Sequence, residues 1–148
     1  MTNSREPFCR LLRAGDPFTG RQGLQYAVGI SVGSAGSRGQ HLQTVTLPPL
    51  AKAKAHKHEA HESAIDVLSG ESGYWFGDGL AEHAMVRARD FFYIPAGVPH
   101  LPYNPSEETP CVAVIARTDA NEQESVVLLP ELDAELLRRA DPWPAKEV

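Results

Sequence analysis

Between Tyr26 and Thr118 the chain is a succession of short segments rich in β-branched and aromatic residues, each cut off by Gly, Pro or Asp. YAVGISV (Tyr26 to Val32) and LQTVTLP (Leu42 to Pro48) open the series, and AIDVLSG, GYWFGDGL, AMVRA, DFFYIP and VAVIART follow. Side chains with restricted χ1 pack well on a pleated surface, and runs of this length are strands rather than helices. Many short strands with regular turns build a sandwich or a barrel, so the expected class is all-β.

The turns carry their own signals. Gly33 to Gln40 (GSAGSRGQ) reads as one mobile loop that joins the first two strands as a hairpin. Phe76-Gly77-Asp78-Gly79-Leu80 reads as a tight hairpin, because Gly and Asp tolerate positive φ, and it sends Tyr74 and Trp75 to opposite faces. Only after Pro130 does the period become helical, with Leu132, Leu136, Leu137 and Ala140 on one side, which predicts a short helix over 130–140 packed on the barrel or on a partner subunit. With 148 residues there is room for one domain and not two. It is expected to span 1–148, with N-terminal strands in 1–41, a barrel core at about 42–118, and a C-terminal strand and helix in 119–148.

Charge excludes some partners. A formal net charge of −5 without a long Lys/Arg run argues against nucleic acid. No segment has the apolar length of a signal peptide or a membrane span, so no membrane partner is expected and a cytoplasmic location follows by default. Cys9 and Cys111 lie far apart, without a second sulfur near either, and read as two reduced, ordinary thiols. No G-x-S-x-G, Walker loop or G-x-G-x-x-G opening a helix is present, so no organic cofactor is expected.

The chemistry gathers at His56-Lys57-His58-Glu59-Ala60-His61-Glu62, three imidazoles and two carboxylates in seven positions. These are donors that Fe, Mn, Ni, Cu and Zn prefer. On a strand, His56 and His58 point to the same face and can reach one ion. A second segment, DFFYIPAGVPHLPYN, makes a tight turn at Pro95-x-Gly97 and delivers His100 to the start of the next strand, followed by Asn104, which is read as a backbone-bonding residue.

Together the two segments resemble the paired motifs of the cupin superfamily: H-x-H with a nearby Glu and a later Gly, then G-x5-P-x-G-x2-H-x3-N. His56, His58, Gly70, Pro95, Gly97, His100 and Asn104 fall where those motifs place them, over about residues 42–118. The resemblance implies a double-stranded β-helix, the jelly-roll barrel, of the small single-domain RmlC-like kind. It also implies a divalent transition metal held by His56, His58, His100 and a carboxylate, with positions left open for water, substrate or oxygen.

In two places the chain departs from the pattern. Counting forward from His58 puts the carboxylate ligand at Glu62, whereas counting back from Gly70 puts it at Ser63, and His61 is the substitute if the strand is bulged. Arg89 stands where a Gly usually opens the second motif.

Lys52 and Lys54 share the strand parity of His56 and His58, so Lys54 is a candidate to hold a substrate carboxylate or phosphate. Tyr74, Trp75, Phe92, Tyr93 and Tyr103 read as packing or interface residues. The expected function is a small metalloenzyme for an oxygen-bearing small molecule, of oxygenase, isomerase or lyase type, with a sugar isomerase as a subcase by analogy. The alternative is a metal- or metabolite-binding module without turnover. Edge strands and terminal extensions at Thr2 to Leu24 and Glu122 to Leu129 suggest a homodimer.

Overall fold

A computed structural model describes residues 9–121 and 125–148, so part of both terminal extensions lies outside the described residues. Among the described residues, eleven strands form two antiparallel sheets. They are β1 (Phe18–Thr19), β2 (Gln25–Ile30), β3 (His41–Leu47), β4 (His56–His58), β5 (Ser63–Ser69), β6 (Glu71–Phe76), β7 (Glu82–Arg87), β8 (Phe91–Ile94), β9 (His100–Tyr103), β10 (Cys111–Arg117) and β11 (Val126–Leu128). One sheet runs β1-β2-β3-β10-β5-β8 and the other β11-β4-β9-β6-β7. The chain crosses between sheets repeatedly, the jelly-roll route by which antiparallel strands wrap around one interior.

Alternation on the strands shows what each face does. Tyr26, Val45, Leu47, Ile65, Val67, Tyr74, Ile94 and Ala113 point inward and form the barrel core. Trp75, Leu101 and Tyr103 point the opposite way, yet they too are buried, in a second core with Ala55, Leu80 and Leu136. The cover is the C-terminal segment, beginning with helix α2 (Pro130–Leu136), whose start has Pro in its first turn. Pro142 accepts a 2.7 Å bond from Trp75 Nε1, Pro144 accepts one from the Tyr103 hydroxyl, and Arg139 sits over the Trp75 ring. The five-stranded sheet is thus buried on both faces, which accounts for the near-continuous apolar character of GYWF. Gly73 belongs to this packing: a Cβ there would come within 2.2 Å of the Tyr103 ring.

The turns follow the sequence reading with local differences. The hairpin β2–β3 forms as expected, but β2 ends at Ile30 and Val32–Ala35 winds into a single helical turn, α1, closed by reciprocal Ser31 and Ser34 bonds. Helix α2 stops at Leu136, short of the expected 140. Cys9 is exposed and Cys111 buried, both free thiols, and burial followed by Glu71 pushes Cys111 up to about 11, which keeps it protonated. No helix among the described residues is long and apolar enough to cross a membrane.

Asn104 is fully buried, and its amide donates to the carbonyls of Leu47 at 3.0 Å and Thr109 at 2.8 Å while its oxygen accepts from Ser106 N–H. It pins the loop after β9 to the end of β3. Arg89, in the β7–β8 turn, adopts φ 76°, in the left-handed region where a Cβ costs energy. The position therefore keeps the geometry that a Gly would serve even though a Gly is absent. Replacing Arg89 by Gly is expected to raise unfolding free energy by about 0.5–1 kcal/mol, strain relief offset partly by chain entropy. Asn104→Ala should lower it by about 2–4 kcal/mol through stranded carbonyls. Urea titration of the two variants checks both signs.

Candidate metal centre

His56 and His58 extend from β4 into the barrel, and His100 enters from the first residue of β9. In the sheet His56 and His100 are direct antiparallel partners, so segments distant in sequence are brought side by side by main-chain pairing. A 2.6 Å bond from Gly97 N–H to the His58 carbonyl fastens the Pro95-x-Gly97 turn to the same strand. Gly97 itself has φ 81°, which the turn requires. The ring centroids lie 4.2 Å apart for His56 and His100, 5.1 Å for His56 and His58, and 5.3 Å for His58 and His100. One ring nitrogen from each falls within 4.8 Å of the other two.

Main-chain carbonyls set the tautomers. Nδ1 of His56 lies 2.7 Å from the Lys54 carbonyl and Nδ1 of His100 lies 3.0 Å from the Val98 carbonyl. A carbonyl only accepts, so each Nδ1 carries the proton and each Nε2 keeps its lone pair for the interior. This is the outer-shell support that metal-bound imidazoles use.

Electrostatics act in the same direction. Burial, then the neighbouring His56, His61 and Arg117, lower His58 to about 3. His100 lies well below its ordinary value, through burial first and then His56, against a smaller opposing effect of the Val98 carbonyl. Both imidazoles are neutral at pH 7, the form that binds a metal. Three buried imidazole nitrogens converging on one point fit a divalent transition ion.

The other expected site residues fall differently. Glu62 is exposed and accepts a 2.7 Å bond from the Tyr93 hydroxyl, on the outside of the wall. Residues 59–62 form a bend between β4 and β5, so alternation does not carry from His58 to Glu62. His61 is buried beside His58, at 4.5 Å between centroids, with Nδ1 4.0 Å from Asp119, but it stands outside the three-way group. Counting back from Gly70 finds the interior instead: Ser63 is buried and lines the cavity, a hydroxyl where the family pattern has a carboxylate. Lys52 and Lys54 are exposed, Lys52 lying over the Trp143 ring. Alternation slips by one between Ala53, which packs in the barrel core, and His56, so the parity that would have turned Lys54 inward is broken.

Two polar residues at the cavity were not anticipated. Gln22 and Arg117 are both buried and line the space in front of the imidazoles. Arg117 shares the inward parity of Cys111 and Ala113 on β10, a signal that alternation in CVAVIAR carries. Gln22 sits in the turn between β1 and β2, where no periodicity applies. Arg117 donates toward His41 Nδ1 at 3.3 Å, and His41 Nε2 lies 3.0 Å from Gln43 Oε1, which makes a polar chain along the wall. The cavity at the imidazoles is about 30 Å³. Gln22 and Tyr26 divide it from an outer chamber of about 550 Å³ that also meets Arg13, Asp16 and Arg21.

In the metal-free protein His58 makes stability depend on pH. Its folded value is below its unfolded one, so its contribution is complete above about pH 6.5 and is lost as pH falls toward 3. The expected slope is about 1.4 kcal/mol per pH unit for each such imidazole. Urea unfolding of wild type and His58→Gln between pH 7 and about 5 measures it. An unchanged slope in the variant contradicts the assignment.

Residues 43–116 match the family model described as Cupin domain. No curated protein matches the chain. Among solved structures, recombinant oxalate oxidase in complex with glycolate superposes with a TM-score of 0.67, covering 93% of this chain and 78% of that one at 19% identity. The formate complex of Lactobacillus farciminis oxalate decarboxylase gives 0.65 at 16% identity, with 84% of this chain matching 35% of that one. The chain thus spans about a third of that enzyme's length. An uncharacterized conserved protein with a double-stranded β-helix domain from Klebsiella pneumoniae gives 0.58 at 18% identity, covering 78% and 87%. At these identities the likeness is one of fold.

Proposed function

The chain belongs to the cupin family, and from that premise we propose that it holds one divalent transition metal on His56, His58 and His100 and uses it on a small oxygen-bearing molecule. The observation that carries this reading is the convergence of three buried imidazoles, two of which, His56 and His100, have Nδ1 already engaged by a carbonyl. Three protein donors leave positions for an exchangeable ligand, as catalytic rather than structural sites do. When bound, the ion supplies Lewis-acid polarisation of an oxygen or a lowered pKa for a bound water.

The chain's own residues set what can enter. A cavity of about 30 Å³ admits only a few atoms beside the imidazoles, so the reacting part of a substrate must be small. Arg117 places a buried positive charge on that space, which favours an anionic oxygen group, and it takes the role that Lys54, facing outward, is not placed to fill. Gln22 and Tyr26 line both this space and the outer chamber, which is the nearest volume for any larger portion. The glycolate and formate carried by the structural neighbours are small oxyanions of the kind this space suits. Oxygenase, isomerase and lyase chemistry all remain within this reading.

A second reading, a metal- or metabolite-binding module without turnover, draws on the same narrowness and on Ser63 standing where a carboxylate ligand would be. Elemental analysis of the purified protein, reconstituted in turn with Fe, Mn, Ni, Cu and Zn, tests the metal. One ion per chain is expected in wild type and less than roughly a tenth of that in His100→Ala, since loss of one of three donors costs more than 1.4 kcal/mol. Stoichiometric metal in His100→Ala, or none in wild type, defeats the reading.

A further inference from the structure

After α2 the chain forms no further helix or strand, and its last residues are held on the outer face of the five-stranded sheet by side chains. Register shows how a residue of the edge strand takes part. Trp75 pairs with His83 on one side and Leu101 on the other, while Gly73 pairs with Met85 and Tyr103. Because Gly73 has no side chain, the Tyr103 ring can lie across β6. Its hydroxyl thereby arrives 2.8 Å from His83 Nε2 on β7, two strands from its own.

Proton counting fixes this contact. The Tyr103 hydroxyl gives its only proton to the Pro144 carbonyl, which can only accept. His83 must therefore donate from Nε2 to the Tyr103 oxygen, which leaves Nδ1 as a bare lone pair. That nitrogen is buried and has no hydrogen-bond partner among the described residues. A protonated ring would carry a second N–H there with nothing to receive it. Trp75, with its ring centroid 4.6 Å away, Tyr103 and the tail shield the ring. Burial lowers His83 below its ordinary 6.5, and Glu147 and Asp141, both in the tail, oppose that without cancelling it. The cations around them are engaged elsewhere: Arg87 with Glu71 and Glu147, Arg139 with the carbonyls of Gly79 and Leu80, and Lys52 with the Trp143 ring.

We propose that His83 is a proton-operated latch for the C-terminal tail, residues 140–148, which rests on the sheet while the ring is neutral and leaves it when the ring is protonated. Once the tail lifts, water reaches the ring, Nδ1–H finds an acceptor and ordinary basicity returns. The sign follows from linkage. A group that binds its proton more weakly under the tail stabilises docking above 6.5, and that contribution is lost as pH falls toward the docked value. Between the two values each unit of acidification shifts the balance of docked and released tail by up to about tenfold. Release would uncover Trp75 and Tyr103, an apolar face that the tail keeps hidden at neutral pH.

The chain's two tryptophans, Trp75 and Trp143, both stand at the latch, so acrylamide quenching of their emission reads it in the full chain. From about pH 7.5 to about pH 5 the wild-type quenching constant is expected to rise about twofold or more, through a single-proton step. His83→Gln keeps a neutral donor toward Tyr103 and should hold the low value across that range. Tyr103→Phe keeps the ring but removes the tie to Pro144, so it should show the high value already at about pH 7.5. The proposal is overturned by a wild-type constant that stays level, or by one that falls on acidification because His83 pairs with Glu147 or Asp141. A rise that persists in His83→Gln, a rise that comes only with loss of the strands' far-UV circular dichroism, or a Tyr103→Phe chain as protected as wild type overturns it equally.

Discussion

The antiparallel pairing of His56 with His100 is the contact on which the site depends. Strand β4 has only three residues, too few to hold its place alone, and it is fixed from several sides. β11 pairs along its whole length, Gly97 bonds the His58 carbonyl, and Ala55 just before it receives Leu129 N–H at its carbonyl and offers its own N–H to the Asp133 carboxylate. A short strand with this many external ties presents its side chains at a defined angle, and that is what convergent imidazoles need.

The barrel interior is divided along its length. On β3, Val45 and Leu47 face the apolar end, while His41 and Gln43 face the other. β10 repeats the division, from Cys111 and Ala113 to Arg117, and β5 does so in the opposite direction, from Ser63 to Ile65 and Val67. The imidazoles stand at the boundary. Desolvation keeps His58 and His100 neutral, and the polar end gives an incoming ligand groups to meet. Fold and chemistry share one cause here, the switch in side-chain polarity within single strands.

How much of this was legible in the sequence depended on whether a period was available. The strands of 26–118, the inward pair His56 and His58, the arrival of His100 and the anchoring role of Asn104 follow from alternation, turn residues and the motif resemblance. The fourth ligand did not follow, because a bend at 59–62 resets the alternation and turns Glu62 to solvent. Lys54 failed for the same reason one step earlier, at the slip between Ala53 and His56. Arg117 could have been read from parity on β10, but as a lone cation at a strand end it carried no motif. The double burial of GYWF was hidden because its cover comes from residues far along the chain, and local pattern cannot show which distant segment will lie over a face.

That cover connects the protein's exterior to its interior by a short route. Trp143 packs on Tyr103, α2 presents Asp133 to the backbone of Ala55, and the next residue is His56. A disturbance at the outermost layer, whether cleavage, a bulky fusion or local melting, would be transmitted to the imidazole cage through one carboxylate and one peptide unit, which makes the tail a strut of the cage as well as a lining for the wall.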